Sequence, residues 1–530
     1  MKRSALVALV SVASIGCSSS QTPEPTRSAD SVRVAEPAST APREATLFLM
    51  ADLNGVLRPC GCTVDLQKGG FDRLIPYLES QRQLHPGSEL VHAGPIFYED
   101  AAVDAKKKAQ RERQVEVAAD LIAQTKVALA GATAVDQVAS GGRLAELATR
   151  AKVQLTAANL SLSEGTPSRF EVRTIGGIRF GLFALAAPVE GSEVKVGDPE
   201  TAAREVLAEL GQKSDVVVLL SALGLRETKR LVRKIEGVHF AIAGGMGEHP
   251  SWSDEAELVG KTRVMQFHRE GRYLGRLTVR MPAGVGSMEL VDASAVSDGE
   301  LALLDERIAR LEEGLAKAGA TGDTKKSMEH HLASVKDERR RLGDKKVVAP
   351  SDRPSFSFTQ TPLNWDLPQE PRIVELMKAF DEELARINIA NAGTLPEPKP
   401  GQAVYVGTEA CFECHAETKE FWRTNEHAGA WATLEGLGKT FDAECVSCHV
   451  TGYGEAGGAL VGKTAGRENV QCESCHGPGS LHAADGEVDK LTVKPVESTC
   501  VGCHNKHHSP TFAFGSYRER LLVPGHGKPL

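Results

Sequence analysis

The pattern Cys-x-x-Cys-His occurs four times near the end of the chain, at Cys411/Cys414/His415, Cys445/Cys448/His449, Cys472/Cys475/His476 and Cys500/Cys503/His504. No other feature restricts the fold as much. Two thiols at this spacing add across the two vinyl groups of a haem, and the histidine beside the second thiol falls under the iron as proximal ligand. A disulfide does not require the fixed two-residue gap, and a zinc site does not require a histidine after every second cysteine. The motifs predict four covalently bound c-type haems. The five remaining histidines of the region, His427, His482, His507, His508 and His526, are the candidate distal ligands. Iron with two axial histidines is closed and passes electrons, whereas iron with one is open to a small molecule.

Composition supports a metal-cofactor domain attached to something larger. Of 11 cysteines and 16 histidines in 530 residues, eight cysteines and nine histidines follow Gly401. The length suggests about three domains. Hydrophobic residues make up 41% and charged residues 25%, which excludes a wholly disordered chain and a polytopic membrane protein. The net charge of −8 gives no domain-wide basic field, so nucleic acid is not expected as a partner. From Gly401 onward 16 acidic and 11 basic residues leave −5, which suits a redox partner with a basic docking face.

Lys2 and Arg3 precede an apolar run from Ala5 to Ile15, which reads as an export signal over 1–16 and is too short to span a bilayer. Ser14-Ile15-Gly16-Cys17 resembles a lipobox, which implies acylation of Cys17 and attachment to a membrane, on the periplasmic side or at the outer membrane. Residues 17–44, rich in Ser, Thr, Pro, Ala and Glu, read as a tether.

From Thr46 short apolar runs alternate with helical stretches, and 45–296 reads as a layered α/β domain. Strands are expected at Leu47–Met50, Leu90–Ala93, Val127–Ala130, Phe180–Ala184, Val216–Leu220, Phe240–Ala243 and Arg276–Arg280. Leu301, Leu304, Ile308, Leu311 and Leu315 form a heptad seam, and Met328, Leu332, Val335 and Leu342 form a second one beyond the turn Ala318–Gly322. The two seams predict a coiled-coil-like helical hairpin over 297–345. Residues 346–400 carry a strand at Ser355–Thr359, an amphipathic helix near Ile373–Ile387 and a Pro-rich linker before a haem domain at 401–530 that is expected to be mainly helical and irregular. A fragment of about residues 45–345 is expected to fold without haem.

Two segments resemble known families. Tyr405-Val406-Gly407, the first haem motif, Trp422 and Asn425-Glu426-His427-Ala428-Gly429-Ala430 resemble the opening of the tetrahaem cytochrome c-554 family, and Val470 to His482 resembles its third haem segment. The resemblance covers roughly 403–508 and implies closely packed haems, mostly with two axial histidines, with His427 and His482 at distal positions and one open iron allowed. Asp52-Leu53-Asn54-Gly55, Gly69-Gly70-Phe71-Asp72-Arg73-Leu74, Thr156 to Leu160 and Gly271 to Gly275 resemble the 5′-nucleotidase-like metallophosphatases. That family's chemistry uses two metals held by Asp and His. Here Asp52 stands at a ligand position, but Asn54, Pro95, Ala132, Thr133 and Ala222 replace other ligands, and the Gly-His-x-His motif reads Gly244-Gly245-Met246-Gly247. The resemblance implies a phosphatase fold that has lost hydrolysis.

Cys60-Gly61-Cys62 follows the Asp52 loop. It reads as a redox pair, as two ligands for a soft metal, or as a structural disulfide, with Asp52, His92 and Asp136 as neighbours by fold analogy. The sequence thus favours an exported, lipid-anchored electron carrier with a phosphatase-like domain for docking or ligand binding. A haem enzyme acting on a small nitrogen or sulfur species is the alternative, and a residual metal-dependent phospho-hydrolase is the third reading.

Overall fold

The computed structural model describes residues 41–58, 68–162, 165, 167–245, 255–284, 289–293, 298–317, 323–344, 350–505, 509, 512–524 and 526–528. The signal segment with Cys17, the Cys60/Cys62 pair, the turn Ala318–Gly322, and His507 and His508 lie outside the described residues.

The chain runs β1 (Arg43–Ala51), α1 (Phe71–Leu84), β2 (Glu89–Ala93), α2 (Lys108–Thr125), β3 (Val127–Gly131), α3 (Ala134–Ala139), α4 (Leu144–Arg150) and β4 (Gln154–Thr156). It continues with β5 (Glu171–Ile175), β6 (Ile178–Ala186), α5 (Pro199–Leu210), β7 (Val216–Ala222), α6 (Leu225–Val232) and β8 (Phe240–Ala243). Then come β9 (Glu257–Val259), β10 (Thr262–Gln266), β11 (Tyr273–Met281), β12 (Val291–Asp292), α7 (Asp298–Lys317), α8 (Asp323–Asp344), β13 (Ser355–Pro362) and α9 (Pro371–Asn391). Each of the seven strands expected from the sequence is present; β8 keeps the expected bounds and the other six are longer by one to several residues.

The strands form two sheets, β12-β13-β11-β1-β2-β3-β4 and β5-β6-β7-β8-β10-β9. Their facing sides share one core: Leu47 and Leu49 of β1 meet Phe180, Leu182, Val218 and Leu220 of the second sheet. The opposite side of β1, with Phe48 and Met50, packs on helices α1, α2 and α9. Helices α5 and α6 cover the far side of the second sheet with Val206, Leu210 and Leu231. Because both faces of β1 are covered, it reads as a continuous apolar run rather than an alternating one.

The sequence reading closes the α/β region at 296, but the sheet continues beyond it. Strand β13 lies between β12 and β11 and pairs antiparallel with β11 from Tyr273↔Pro362 to Arg280↔Ser355. Ile373, Met377, Phe380 and Leu384 of α9 are buried in the core of the first sheet. The helical hairpin is therefore an excursion between two adjacent strands. Leu304, Leu311 and Val335 pack within it, and Asp305–Arg339 at 2.8 Å with Glu312–Lys336 at 2.6 Å set α7 and α8 antiparallel. Arg339, which interrupts the apolar seam, is held by that first ion pair.

The haem region is helical and irregular, as expected: α10 (Thr408–Phe412), α11 (Ala416–Thr424), α12 (Ala430–Leu437), α13 (Ala443–His449), α14 (Cys472–His476), α15 (Ser480–Asp485), α16 (Glu497–Val501) and α17 (Phe514–Leu521). Its buried apolar cluster holds only Leu434, Ala443, Val446, Val450, Ala459 and Val461. So small a core needs bulk from elsewhere. Among the described residues no helix is long and apolar enough to cross a membrane.

Candidate functional site

The attachment motifs sit on short helices or at their ends. Helix α13 carries Cys445, Cys448 and His449, and α14 carries Cys472, Cys475 and His476. Positions i, i+3 and i+4 share a helical face, so both thiols and the imidazole point one way. The Thr408 hydroxyl at the start of α10 stands 3.4 Å from Cys472 Sγ, and Cys448 Sγ stands 3.9 Å from the Gly502 carbonyl inside the fourth motif. The first and third motifs thus lie side by side, as do the second and fourth.

The eight motif cysteines differ in their placement and exposure. Helix α10 ends at Phe412, so Cys414 falls beyond the cap residue Glu413 and is exposed, whereas Cys411 is half-buried. Cys503 is likewise exposed beyond the end of α16. The N–H groups of Cys414 and His415 still bond the Cys411 carbonyl, at 3.3 and 2.9 Å. That turn keeps the three residues in motif order while the Cys414 thiol stands at the solvent edge.

Three histidine pairs converge. The ring centroids of His415 and His482 are 6.3 Å apart, those of His427 and His504 6.0 Å, and those of His476 and His526 6.2 Å. With an iron–nitrogen bond of about 2 Å and a ring centre about 1 Å beyond it, two axial imidazoles on one iron stand about 6 Å apart. Each pair combines a motif histidine with one of the five candidates. Among the described residues no histidine ring lies against His449.

Hydrogen bonds fix which nitrogen is free. Nδ1 of His449 donates to the Ala430 carbonyl at 2.5 Å, Nδ1 of His476 to Thr492 at 2.8 Å, Nδ1 of His482 to Glu487 at 3.1 Å and Nδ1 of His526 to Leu521 at 2.6 Å. A carbonyl only accepts, so Nδ1 bears the proton and Nε2 keeps its lone pair for a metal. Nδ1 of His504 meets the Ser509 hydroxyl at 3.0 Å. Burial lowers the pKa of His427 and His504, which favours the neutral, ligating form. Asn425 caps the turn that presents His427, its side chain accepting the His427 N–H at 3.0 Å.

The sequence did not point to Glu473, inside the third motif. Its buried carboxylate accepts from the N–H groups of Val406 (2.9 Å), Gly407 (2.7 Å) and Gly479 (2.8 Å). One side chain thereby gathers the irregular segment before the first motif, the third motif and the loop before α15, which bears His482. A glutamate between two haem cysteines carries no local signal of such bonds.

At the carboxyl ends of β1 and β2 the phosphatase-like residues form a different arrangement. Asp52 and Asn54 are buried with positive φ of 49° and 56°. The Asp52 carboxylate accepts the Gly245 N–H at 2.7 Å. It approaches Gly94 so closely that a Cβ there would stand 1.8 Å from Oδ1. Asp136 accepts from the N–H groups of Ile96 (3.0 Å), Phe97 (3.0 Å) and Tyr98 (2.9 Å) and from the Thr133 hydroxyl (2.9 Å). Its burial raises its pKa despite those bonds. His92 Nε2 accepts the Leu53 N–H at 3.2 Å, and burial lowers the His92 pKa to about 3. These groups hold loops together. Among the described residues no group of three or more His, Cys, Asp or Glu is arranged to hold a metal ion.

Helix-borne thiol pairs with adjacent histidines, repeated through a domain with little core of its own, define a multihaem c-type cytochrome domain. Residues 410–477 match the family described as Cytochrome c554 and c-prime. Cytochrome c-554 of Nitrosomonas europaea is 33% identical over 143 residues, 20% of this chain and 61% of that protein. The chain thus spans about three-fifths of the relative's length. Similar solved structures include the 5′-nucleotidase precursor of Thermus thermophilus (16% identity, TM-score 0.42, 69% of this chain and 61% of that one). The NAD nucleotidase of Haemophilus influenzae is another (14% identity, TM-score 0.44, 69% of this chain and 64% of that one).

Proposed function

We propose that the chain is an exported, lipid-anchored electron carrier with four haems, three of them ligated by the pairs His415/His482, His427/His504 and His476/His526. The observation that carries this reading is the convergence of three motif histidines on three distant ones at the spacing of axial imidazoles. When bound, the haems supply reversible one-electron chemistry. The polypeptide supplies the thioether anchors, those at Cys414 and Cys503 on the solvent side, together with the axial nitrogens and the carbonyls that orient them. Nδ1–H donation to a carbonyl raises ligand basicity and locks ring orientation at His449, His476, His482 and His526. The adjacency of the first motif with the third and of the second with the fourth supports two close haem pairs.

The test is whole-protein mass together with the spin-resonance spectrum of the oxidised protein. Four haem masses and three low-spin irons are expected. Fewer haems in fully matured protein, or fewer than three low-spin irons, would refute the assignment.

A second reading is favoured by His449, which has no ring partner among the described residues. An iron held there is open, and the chain then acts on a small nitrogen or sulfur species at that haem. A high-spin signal that responds to nitrite, hydroxylamine or nitric oxide would support it. A signal indifferent to all three leaves the carrier reading in place. Asp52 and Asp136 accept from main-chain N–H groups, which supports a non-hydrolytic α/β domain, and docking or ligand binding is the role proposed for it.

A further inference from the structure

Helix α2 reaches from the α/β layers into the haem region. Lys107, Gln110, Arg111 and Gln114 fall at i, i+3, i+4 and i+7, one helical face. Toward the α/β loops, Arg111 donates to the Asn54 carbonyl at 2.5 Å and Gln114 to the Gly55 carbonyl at 3.1 Å. Toward the haem region, Gln110 Nε2 donates to Asp442 Oδ1 at 2.6 Å, while its Oε1 accepts the Ala443 N–H at 3.0 Å and, from α9, Asn388 Nδ2 at 2.6 Å. Lys107 Nζ pairs with Glu444 Oε2 at 2.8 Å. Asp442 is the N-cap of α13 and accepts the Glu444 N–H at 3.1 Å. A further chain of ion pairs joins Arg58 to Asp381 (2.6 Å), Asp381 to Lys439 (2.7 Å) and Lys439 to Asp442 (3.4 Å).

Gln110 is 2% exposed and satisfies both ends of its amide across the boundary between the two regions. Simple adhesion needs only apolar contact. A fully bonded buried amide fixes one orientation, because any tilt leaves polar atoms unpaired. The element so fixed is the helix that bears Cys445, Cys448 and His449. His449 lies seven residues, about 10 Å, along α13 from the held cap, so a small tilt at Asp442 displaces the imidazole.

We propose that Gln110 and Lys107 are positioning residues for the second haem-attachment helix, so that the α/β unit sets the geometry of the haem site at His449. This rests on the reading that His449 holds an open haem. In the full haem-loaded chain, Gln110→Met removes the hydrogen bonds without changing charge. Gln110→Glu opposes Asp442 with a second carboxylate. The readouts are the high-spin spin-resonance signal and its midpoint potential in a redox titration. Both variants should shift them with the three low-spin signals unmoved. An unmoved high-spin signal or a uniform shift of all four haems would overturn the proposal. Should the Gln110 variants not load haem, Lys107→Met at the more exposed ion pair must shift the same signal, and no shift there counts against it. A wild-type protein without high-spin iron would instead remove the open-haem reading. The second haem would then be followed as the low-spin signal lost in His449→Ala, with the same shift required.

Discussion

Single histidines decide what each iron can do, and the ring pairs make that testable. His482→Ala should turn the iron at His415 from low to high spin, and His526→Ala should do the same at His476, with the haem count kept at four by the thioethers. Low-spin signals that survive intact in both variants would mean that His507 or His508 supplies the sixth ligand. His427 and His482 could be marked from the sequence because they lie within motif-like surroundings. His526 could not be separated from His507 and His508 by spacing, since its partner His476 is 50 residues away and the fold alone unites them. Glu473 was equally hidden. Glu473→Ala should leave the N–H groups of Val406, Gly407 and Gly479 unpaired in a buried place. The cost is about 3 kcal/mol or more, read as a lower midpoint in denaturant with the third and first haems still attached. A loss under about 1 kcal/mol would mean that water replaces the carboxylate.

Among the elements, the helical hairpin was legible in the sequence because heptad spacing is a local signal, whereas its anchorage was not. Arg307 pairs with Asp366, and His331 Nε2 stands 3.0 Å from Asp366 Oδ1, with Arg307 and Asp366 only 3% and 2% exposed. Burial pushes the Asp366 pKa up, but the hydrogen bonds from His331 and Arg307 outweigh it and hold the carboxyl at about 2. A carboxyl depressed on folding stabilises the folded form fully above its unfolded pKa near 3.8. That stabilisation, about 2 kcal/mol, is lost as pH falls from there toward 2. Protection of the amides of 298–317 and 323–344 against hydrogen exchange should therefore fall in that window before the sheets open, and Asp366→Asn should remove the acid step. Arg307→Ala should cost about 3–5 kcal/mol, because it strands a buried carboxylate. An acid profile identical in Asp366→Asn and wild type would assign the step to other carboxylates.

At the scale of the whole molecule the two regions are joined by more than a linker, and the α/β unit ends later than its sequence suggests. Strand positions were readable from apolar runs, but pairing was not: β13 announces itself as a strand while its neighbour β11 lies some 80 residues earlier, across the hairpin. A fragment ending at 345 would lack β13, which pairs along the full length of β11, and α9, whose Ile373, Met377, Phe380 and Leu384 close the core of the first sheet. Burying four such side chains contributes roughly 6–12 kcal/mol, as much as the net stability of an ordinary domain. Residues 41–391 should therefore fold cooperatively without haem, whereas 45–345 should be aggregated or expanded, as thermal melting and size-exclusion behaviour would reveal. The longer fragment should also release no phosphate from nucleotides with manganese, zinc, cobalt or calcium. Two-metal hydrolysis needs several ligands around ions about 3.5–4 Å apart, and the side chains of Pro95, Ala132 and Ala222 offer none. Asp52 and Asp136 would have to abandon main-chain N–H groups to serve. Metal-dependent phosphate release that disappears in Asp52→Ala would overturn this, and a hydrolase coupled to haem would then become the better account of why the two regions share one chain.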